Sequence, residues 1–332
     1  MKLKVWAGIA ISFFFIWLAF RKVDYAELGS VFSRADYRYI LPAAAITLFQ
    51  FFLRAARWGH LVEPIKKVKI ASLFSATSIG FMGNNILPAR IGEFLRSYAI
   101  AKKEDISISA SFATIIVERI LDTFTLVLFM LYLLYALSLP PEYSDLESTI
   151  RKVGGVSALL FFAALTMLFY FKKHKDIFKK ILDKIIVPFS QSIAGKVADL
   201  VDAFASGLSV VSAGKHLLPI SLYSLCVWVL SAVPISLVLL SFGYSYPFAV
   251  SVFILVIIAI AVAIPSSPGY IGTFHYACAT ALGLFNIPEE EALSVAITLH
   301  AINFFPITLV GLFYLWKDKL SLPGAGKLEE PL

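Results

Sequence analysis

The sequence predicts an all-α, polytopic helical membrane protein made of two inverted-topology repeats, each with a re-entrant hairpin, and with both termini on the cytoplasmic side. Three observations predict it. Of 332 residues, 59% are hydrophobic and 15% charged, with a mean hydropathy of +0.82, which is too apolar for a soluble domain. Apolar runs recur along nearly the whole chain, and two of them end in breaks rich in Pro, Gly, Asn and Ser. Lysine and arginine fall mainly on one side of the topology that these runs define.

Taken in order, residues 5–20 follow Lys2 and Lys4, and no small-residue cleavage pattern precedes Arg21-Lys22. They read as a retained first span and not as a signal peptide. A second span covers 39–53. The run 70–87 ends in Gly83-Asn84-Asn85-Ile86-Leu87-Pro88, short of the roughly 20 residues a crossing needs, so it opens a hairpin over about 70–103. Spans follow at 111–139, 153–171 and 217–241. The run 248–264 stops at Pro265-Ser266-Ser267-Pro268-Gly269 and opens a second hairpin, 248–286; the last span is 291–316 and a cytoplasmic tail is 317–332.

With the N-terminus inside and both hairpins returning to their own side, the inner surface receives 22 of the 29 Lys and Arg residues. That bias is the positive-inside pattern. The same topology makes residues 140–316 an upside-down version of 1–139. Pro88-Ala89-Arg90-Ile91-Gly92-Glu93-Phe94 matches Pro268-Gly269-Tyr270-Ile271-Gly272-Thr273-Phe274 at Pro, Ile, Gly and Phe, at a constant offset of 180 residues. The match is short; its place in both hairpins gives it weight. Inverted repeats with broken helices meeting near mid-membrane are the layout of secondary transporters. Between the repeats, 172–215 carries Lys172-Lys173-His174-Lys175 and apolar residues at helical spacing. It reads as two amphipathic helices on the cytoplasmic leaflet, or as a solvated linker.

Ionisable residues inside apolar runs are costly in lipid and mark candidate sites. Arg90, Glu93 and Arg96 recur every third residue after Pro88, so Glu93 can sit between two guanidiniums. Gly92 allows close backbone approach, and the start of the helical arm adds free N–H groups. With Asn85 these make an anion site suited to phosphate, because guanidinium donors match its oxygens; the alternative is that both arginines anchor the hairpin at the membrane surface. In the fourth segment Glu118 and Asp122 lie one turn apart on one face, with Arg119 displaced by about 100 degrees. That face must point inward, where Arg90 or Arg96 can neutralise it, either as a structural network or as a gate.

The second hairpin offers hydroxyls and backbone, at Ser267, Gly269 and Gly272, and one imidazole, His275. His300 and Asn303 can meet that imidazole from the last span, with interhelical hydrogen bonding as the ordinary reading. Arg54, Arg57 and Trp58 read as interface anchors. Cys226 and Cys278 read as buried small apolar side chains. Walker A, dinucleotide and His-Glu-x-x-His patterns are absent from the sequence, so no cofactor or metal is called for.

The run Asn85-Ile86-Leu87-Pro88-Ala89-Arg90-Ile91-Gly92-Glu93-Phe94-Leu95-Arg96, followed by Glu118-Arg119-Ile120-Leu121-Asp122, resembles the flippase-like family named for the transmembrane region of lysylphosphatidylglycerol synthetase. The likeness covers roughly residues 5–316. The Pro-Gly-Tyr-Ile-Gly-Thr-Phe element is similar to the family's second glycine motif, with Phe274-His275 where members often carry a glutamate. The resemblance implies a multi-pass protein of the inner or plasma membrane linked to lipid translocation. In the multiple peptide resistance factors such domains are associated with moving aminoacylated phosphatidylglycerol and are fused to a synthetase, which is expected to be missing here, so aminoacyl transfer is not carried over. Stand-alone relatives are connected with polyprenyl-phosphate and glycolipid pathways.

The expectation is therefore a lipid flippase or scramblase and not an enzyme, whose partners are membrane lipids with an anionic or phosphate headgroup. Nucleic acid is excluded, and a homo-oligomer is left open. The alternative is a membrane-embedded enzyme of lipid or polyprenyl-phosphate glycan transfer with Glu118 or Asp122 as base; a third reading is a non-catalytic scaffold.

Overall fold

The computed structural model describes residues 2–21, 23–87, 91–173, 217–263 and 267–320. Among these there are helices and no strands. The helices are α1 (Lys2–Phe20), α2 (Tyr25–Arg34), α3 (Ile40–Val62), α4 (Ile70–Ile86), α5 (Gly92–Glu104), α6 (Ile108–Ala136), α7 (Ser144–Lys173), α8 (Leu217–Ser241), α9 (Phe248–Ala263), α10 (Thr273–Gly283) and α11 (Glu289–Lys317). Three stretches, Tyr37–Val62, Leu217–Ser241 and Glu289–Lys317, are long and apolar enough by themselves to cross a membrane. The 29 residues of α11 reach about 44 Å at 1.5 Å per residue, more than a hydrocarbon core of about 30 Å.

Local chemistry explains where the helices begin and end. Asp24 caps α2 by accepting from the amides of Ala26 and Glu27, and Ser107 caps α6 through Ala110, which satisfies donors that a helix start leaves open. Glu289, Glu290 and Glu291 occupy the first turn of α11 and Lys102 and Lys103 the last turn of α5, each sign matching the helix dipole. Asp105 closes α5 in the left-handed region at φ 52°.

Two apolar clusters make the core. One joins Ala55, Trp58 and Leu61 of α3 with α4, α5, the start of α6 (Ile115, Val117) and Ile220 of α8. The other joins Phe129 and Leu133 near the end of α6 with α8, α9, α10 and α11, and takes in Ala43 of α3. Helices α3, α6 and α8 therefore run from one cluster into the other. Their polar residues fall at the passage between the two.

The structure corrects three sequence expectations. The loop expected over 21–38 contains α2, an amphipathic helix of 10 residues too short and polar to register as an apolar run. The stretch after Arg96, with Lys102 and Lys103, reads in the sequence as a short basic connector; it is the body of α5. Cys278 is buried as expected, but Cys226 is exposed, because it points away from the face of α8 that carries Ser224 and Trp228. The amphipathic helices expected within 172–215, apart from the end of α7, and the tail beyond 320 lie outside the described residues.

Candidate functional site

On α3, Gln50, Arg54 and Arg57 share one face at helical spacing. On α6, Glu118 and Asp122 do the same, with Arg119 on the adjoining face reaching back to both, and Arg96 projects from α5. These side chains meet in one layer, buried at Gln50, Arg54, Arg57, Arg96, Glu118 and Asp122 and opening at its edge through Arg119, whose side chain is 43% accessible. Arg57, fully buried, donates from Nη1 to Asp122 Oδ1 at 2.7 Å and to Ser224 Oγ at 2.9 Å; its Nη2 lies 3.4 Å from Glu118 Oε1. Arg96 grips Glu118 with both terminal nitrogens, at 2.8 and 3.0 Å, and its guanidinium lies 3.9 Å from the centre of the Trp58 ring. Arg119 donates to Glu118 at 2.7 Å and sits 3.2 Å from Asp122. Trp228 Nε1 donates to Asp122 Oδ1 at 3.0 Å, and Arg54 Nη1 stands 3.9 Å from Asp122 Oδ2.

Each carboxylate thus faces three guanidiniums: Glu118 has Arg57, Arg96 and Arg119, and Asp122 has Arg54, Arg57 and Arg119. Buried charge survives only when paired and hydrogen-bonded, and sharing two acids among four bases meets that need while leaving a surplus of positive charge. No group of three or more His, Cys, Asp and Glu among the described residues is arranged to hold a metal ion.

Beside this layer lies a cavity of about 220 Å³, lined by Gln50, Arg54, Asn85, Trp228, Ser231 and His300 among mostly apolar neighbours. The end of α4 and the turn that precedes α10 both reach it. Asn85 Nδ2 donates to Thr308 Oγ1 of α11 at 2.8 Å and to the Phe304 carbonyl at 3.3 Å. Gly269, at φ 68°, has its carbonyl 2.8 Å from His300 Nε2 and lies against the Asn85 carbonyl. The imidazoles of His275 and His300 are 4.6 Å apart, centre to centre.

The sequence-predicted residues distribute unevenly. Arg96, Glu118, Arg119 and Asp122 come together in the layer. Arg96 spends both terminal nitrogens on Glu118, so the expected arrangement of Glu93 between Arg90 and Arg96 gives way to a bond between α5 and α6; Arg90 lies outside the described residues. Glu93 is half-buried. Gly92 serves the contact of α5 with α4: its amide donates to Asn84 Oδ1 at 2.9 Å, and a Cβ there would strike Asn84 and the Gly80 carbonyl. Ser267 and Gly272 face α1. The Ser267 amide donates to Ser12 Oγ at 2.8 Å, and Gly272, at φ 89°, abuts the Ser12 carbonyl. His275 and His300 meet as expected, whereas Asn303 donates back to its own helix at Leu299.

Sequence reasoning missed Arg54 and Arg57, taken for interface anchors, as well as Gln50 and Trp228. The burial of both arginines corrects that reading. The signal was available in the spacing of Gln50, Arg54 and Arg57, which places three polar side chains on one face of an apolar helix.

A chain this apolar, without strands among its described residues and with paired charges held between two hydrophobic clusters, is a membrane protein whose interior carries an ionic layer. It belongs to the family described as the lysylphosphatidylglycerol synthase TM region, which matches residues 5–311. Among its relatives, Glycosyltransferase AglD of Haloferax volcanii is 23% identical over 337 residues, covering 93% of this chain and 53% of that protein. A UPF0104 membrane protein of Pyrococcus horikoshii is 26% identical over 344 residues, covering 95% of this chain and 96% of its own length. A UPF0104 membrane protein of Methanothermobacter thermautotrophicus is 21% identical over 296 residues, covering 86% of this chain and 87% of its own. The chain thus spans about half the length of AglD. No solved structure matches it.

Proposed function

We propose that this protein moves a phospholipid, an aminoacylated lipid or a polyprenyl-phosphate-linked lipid between the leaflets of the cell membrane. The observation that carries the reading is the ionic layer: four guanidiniums and two carboxylates between two apolar clusters, beside a cavity that the ends of two interrupted helical runs reach. Surplus positive charge in a low-dielectric interior favours an anionic guest. In this reading Arg90, Glu93 and Arg96 receive the headgroup at the hairpin, while Glu118, Arg119 and Asp122 exchange partners as it passes. Asn85, Gly92, Ser267, Gly269 and Gly272 shape the two broken segments. The acyl or prenyl tail stays in lipid. Both termini face the cytoplasm, the halves are inverted repeats, and the broken segments are re-entrant hairpins that open in turn.

The test is leaflet exchange of fluorescent anionic, zwitterionic and aminoacylated lipids in proteoliposomes. Arg90→Ala and Arg119→Gln are the variants to compare. The second is chosen because Glu118 keeps Arg57 and Arg96 without it, and Asp122 keeps Arg57 and Trp228. Wild type should speed exchange of one headgroup class, and both folded variants should slow it. No exchange of any lipid by folded wild type sinks the reading.

A second reading is favoured by the name of one relative, Glycosyltransferase AglD: glycan transfer to a lipid inside the membrane, with Glu118 or Asp122 as base. Against it, each of those carboxylates is already engaged by guanidiniums. A chemically altered lipid after incubation with a sugar donor would favour it over translocation.

A further inference from the structure

The four guanidiniums of the ionic layer are not equivalent. Arg57, Arg96 and Arg119 each have a terminal nitrogen within 2.8 Å of a carboxylate oxygen. Arg54 does not: its nearest carboxylate contact is 3.9 Å, to Asp122, beyond hydrogen-bonding range. Its one close bond is from Nε to Gln50 Oε1 at 3.2 Å, which leaves both terminal nitrogens uncommitted. Arg54 and Gln50 also line the 220 Å³ cavity, whereas Arg57, Arg96 and Arg119 do not. Arg54 keeps 10% of its side chain accessible while that of Arg57 is wholly buried.

The surroundings hold Arg54 in that position. The rings of Phe81 and Trp228 lie 5.7 and 5.8 Å from its guanidinium carbon, close enough for cation–π attraction. Gln50 Oε1 is fixed from two sides, by Arg54 and by Ser231 Oγ at 2.9 Å, so its amide nitrogen remains as a further donor beside the guanidinium. The remaining cavity wall is apolar and aromatic, with Phe51, Leu255, Val262 and Phe274 among its residues. A loosely paired guanidinium and a carboxamide donor at one place, with hydrocarbon around them, match an anion attached to an apolar body.

We propose that this cavity is the seat of a lipid phosphate, with Arg54 holding the phosphate oxygens, Gln50 adding a second donor, and Arg57, Arg96 and Arg119 holding the two carboxylates. The seat deepens the translocation reading and rests on it for the source of the ligand. It also moves the anion contact from the hairpin arginines to α3. Guanidinium is suited to the task because its donors form a planar fork that matches phosphate oxygens; a lysine ammonium at the same place keeps the charge and loses the fork.

Trp228 supplies a readout, since it lines the cavity and packs near Arg54. Full-length protein in detergent is titrated with a short-chain phosphatidic acid, with a diacylglycerol of the same chains and with inorganic phosphate, following tryptophan fluorescence; Trp228→Phe assigns the signal among the five tryptophans. The phosphate lipid should bind tightest. Arg54→Gln should weaken it by about tenfold or more, the scale of a hydrogen bond to a charged group, Arg54→Lys by less, and Gln50→Ala by a smaller factor again. Should Arg54→Gln fail to fold, Arg54→Lys and Gln50→Ala carry the comparison. Equal binding of diacylglycerol, or undiminished binding in the folded Arg54 and Gln50 variants, overturns the seat. Equal binding of inorganic phosphate overturns its assignment to a lipid. Arg54-dependent binding of the phosphate lipid without leaflet exchange upholds the seat and overturns translocation.

Discussion

The ionic layer and the turn before α10 border the same cavity, yet opposite chemistry holds them in place. In the layer, α3, α5 and α6 contribute full charges whose main partners are other full charges, with Ser224 and Trp228 of α8 as neutral partners. At the turn, the contacts are neutral: the Ser267 amide on Ser12, the Gly269 carbonyl on His300, and two imidazoles side by side. The difference teaches where rearrangement is cheap. A charge withdrawn from the layer leaves others unpaired in an apolar interior, whereas a neutral bond at the turn is exchanged for another at a cost near that of one hydrogen bond. In the proposed translocation cycle the turn is then the part that moves, and the layer moves only when an incoming anion replaces a carboxylate.

Breaking the layer should give the largest effect. Glu118→Gln removes the charge that Arg57, Arg96 and Arg119 share, and should cost about 3–5 kcal/mol, the scale for orphaning a buried charge. Unfolding in detergent measures it. Arg96→Met combined with Glu118→Gln should recover part of the loss, because the pair is then removed together. A single-variant loss below about 1 kcal/mol would mean that the layer is solvated and not held by mutual pairing. Gly272→Ala probes the other region. At φ 89° and against the Ser12 carbonyl, a Cβ should cost on the order of 1–3 kcal/mol in backbone strain and shift the turn away from α1, with the layer intact.

The same comparison explains what was legible in the sequence. Long apolar runs announce helices, so 217–241 coincides with α8 and 70–87 with α4 to within a residue. Glu118, Arg119 and Asp122 stood out because they interrupt such a run in its middle. Arg54 and Arg57 did not, since they lie near its end, beside Trp58 and before Lys66, where a basic residue ordinarily marks the membrane surface. The hairpin spacing suggested a bond between Glu93 and Arg96, but spacing within one helix says nothing about a carboxylate arriving from α6. Asn85 and Thr308 bond across 223 positions, and no local pattern encodes that meeting.

Between the two regions stands Asn85, which ties the end of α4 to α11. Thr308→Val removes its shorter bond and leaves the 3.3 Å contact with the Phe304 carbonyl. About 1 kcal/mol of stability should go, with faster amide exchange confined to the last turn of α4. Faster exchange spread into α3 and α6 would mean that the layer and the turn are coupled more tightly than their separate chemistry implies.

The smallest effect is expected at the end of α11, where Asp318 accepts from Lys103 at 2.6 Å and from Ser75. This latch joins the last helix to α4 and α5, outside the apolar spans, and its charges reach solvent. Burial disfavours the Asp318 charge, but the bonds from Lys103 and Ser75 outweigh it and hold the carboxyl below its ordinary range. A depressed carboxyl contributes stability above its unfolded pKa, about 3.9, and loses that contribution as pH falls through the folded value. Between pH 5 and 8 the contribution should be constant and under about 1 kcal/mol, as for other partly exposed pairs. Asp318→Asn should lower the melting temperature slightly over that range and match wild type only in strong acid. If the proposed cycle opens the protein at this end, the variant should also speed leaflet exchange; unchanged exchange together with the small stability loss would make the latch a fastening of α11 and confine the moving parts to the turn before α10.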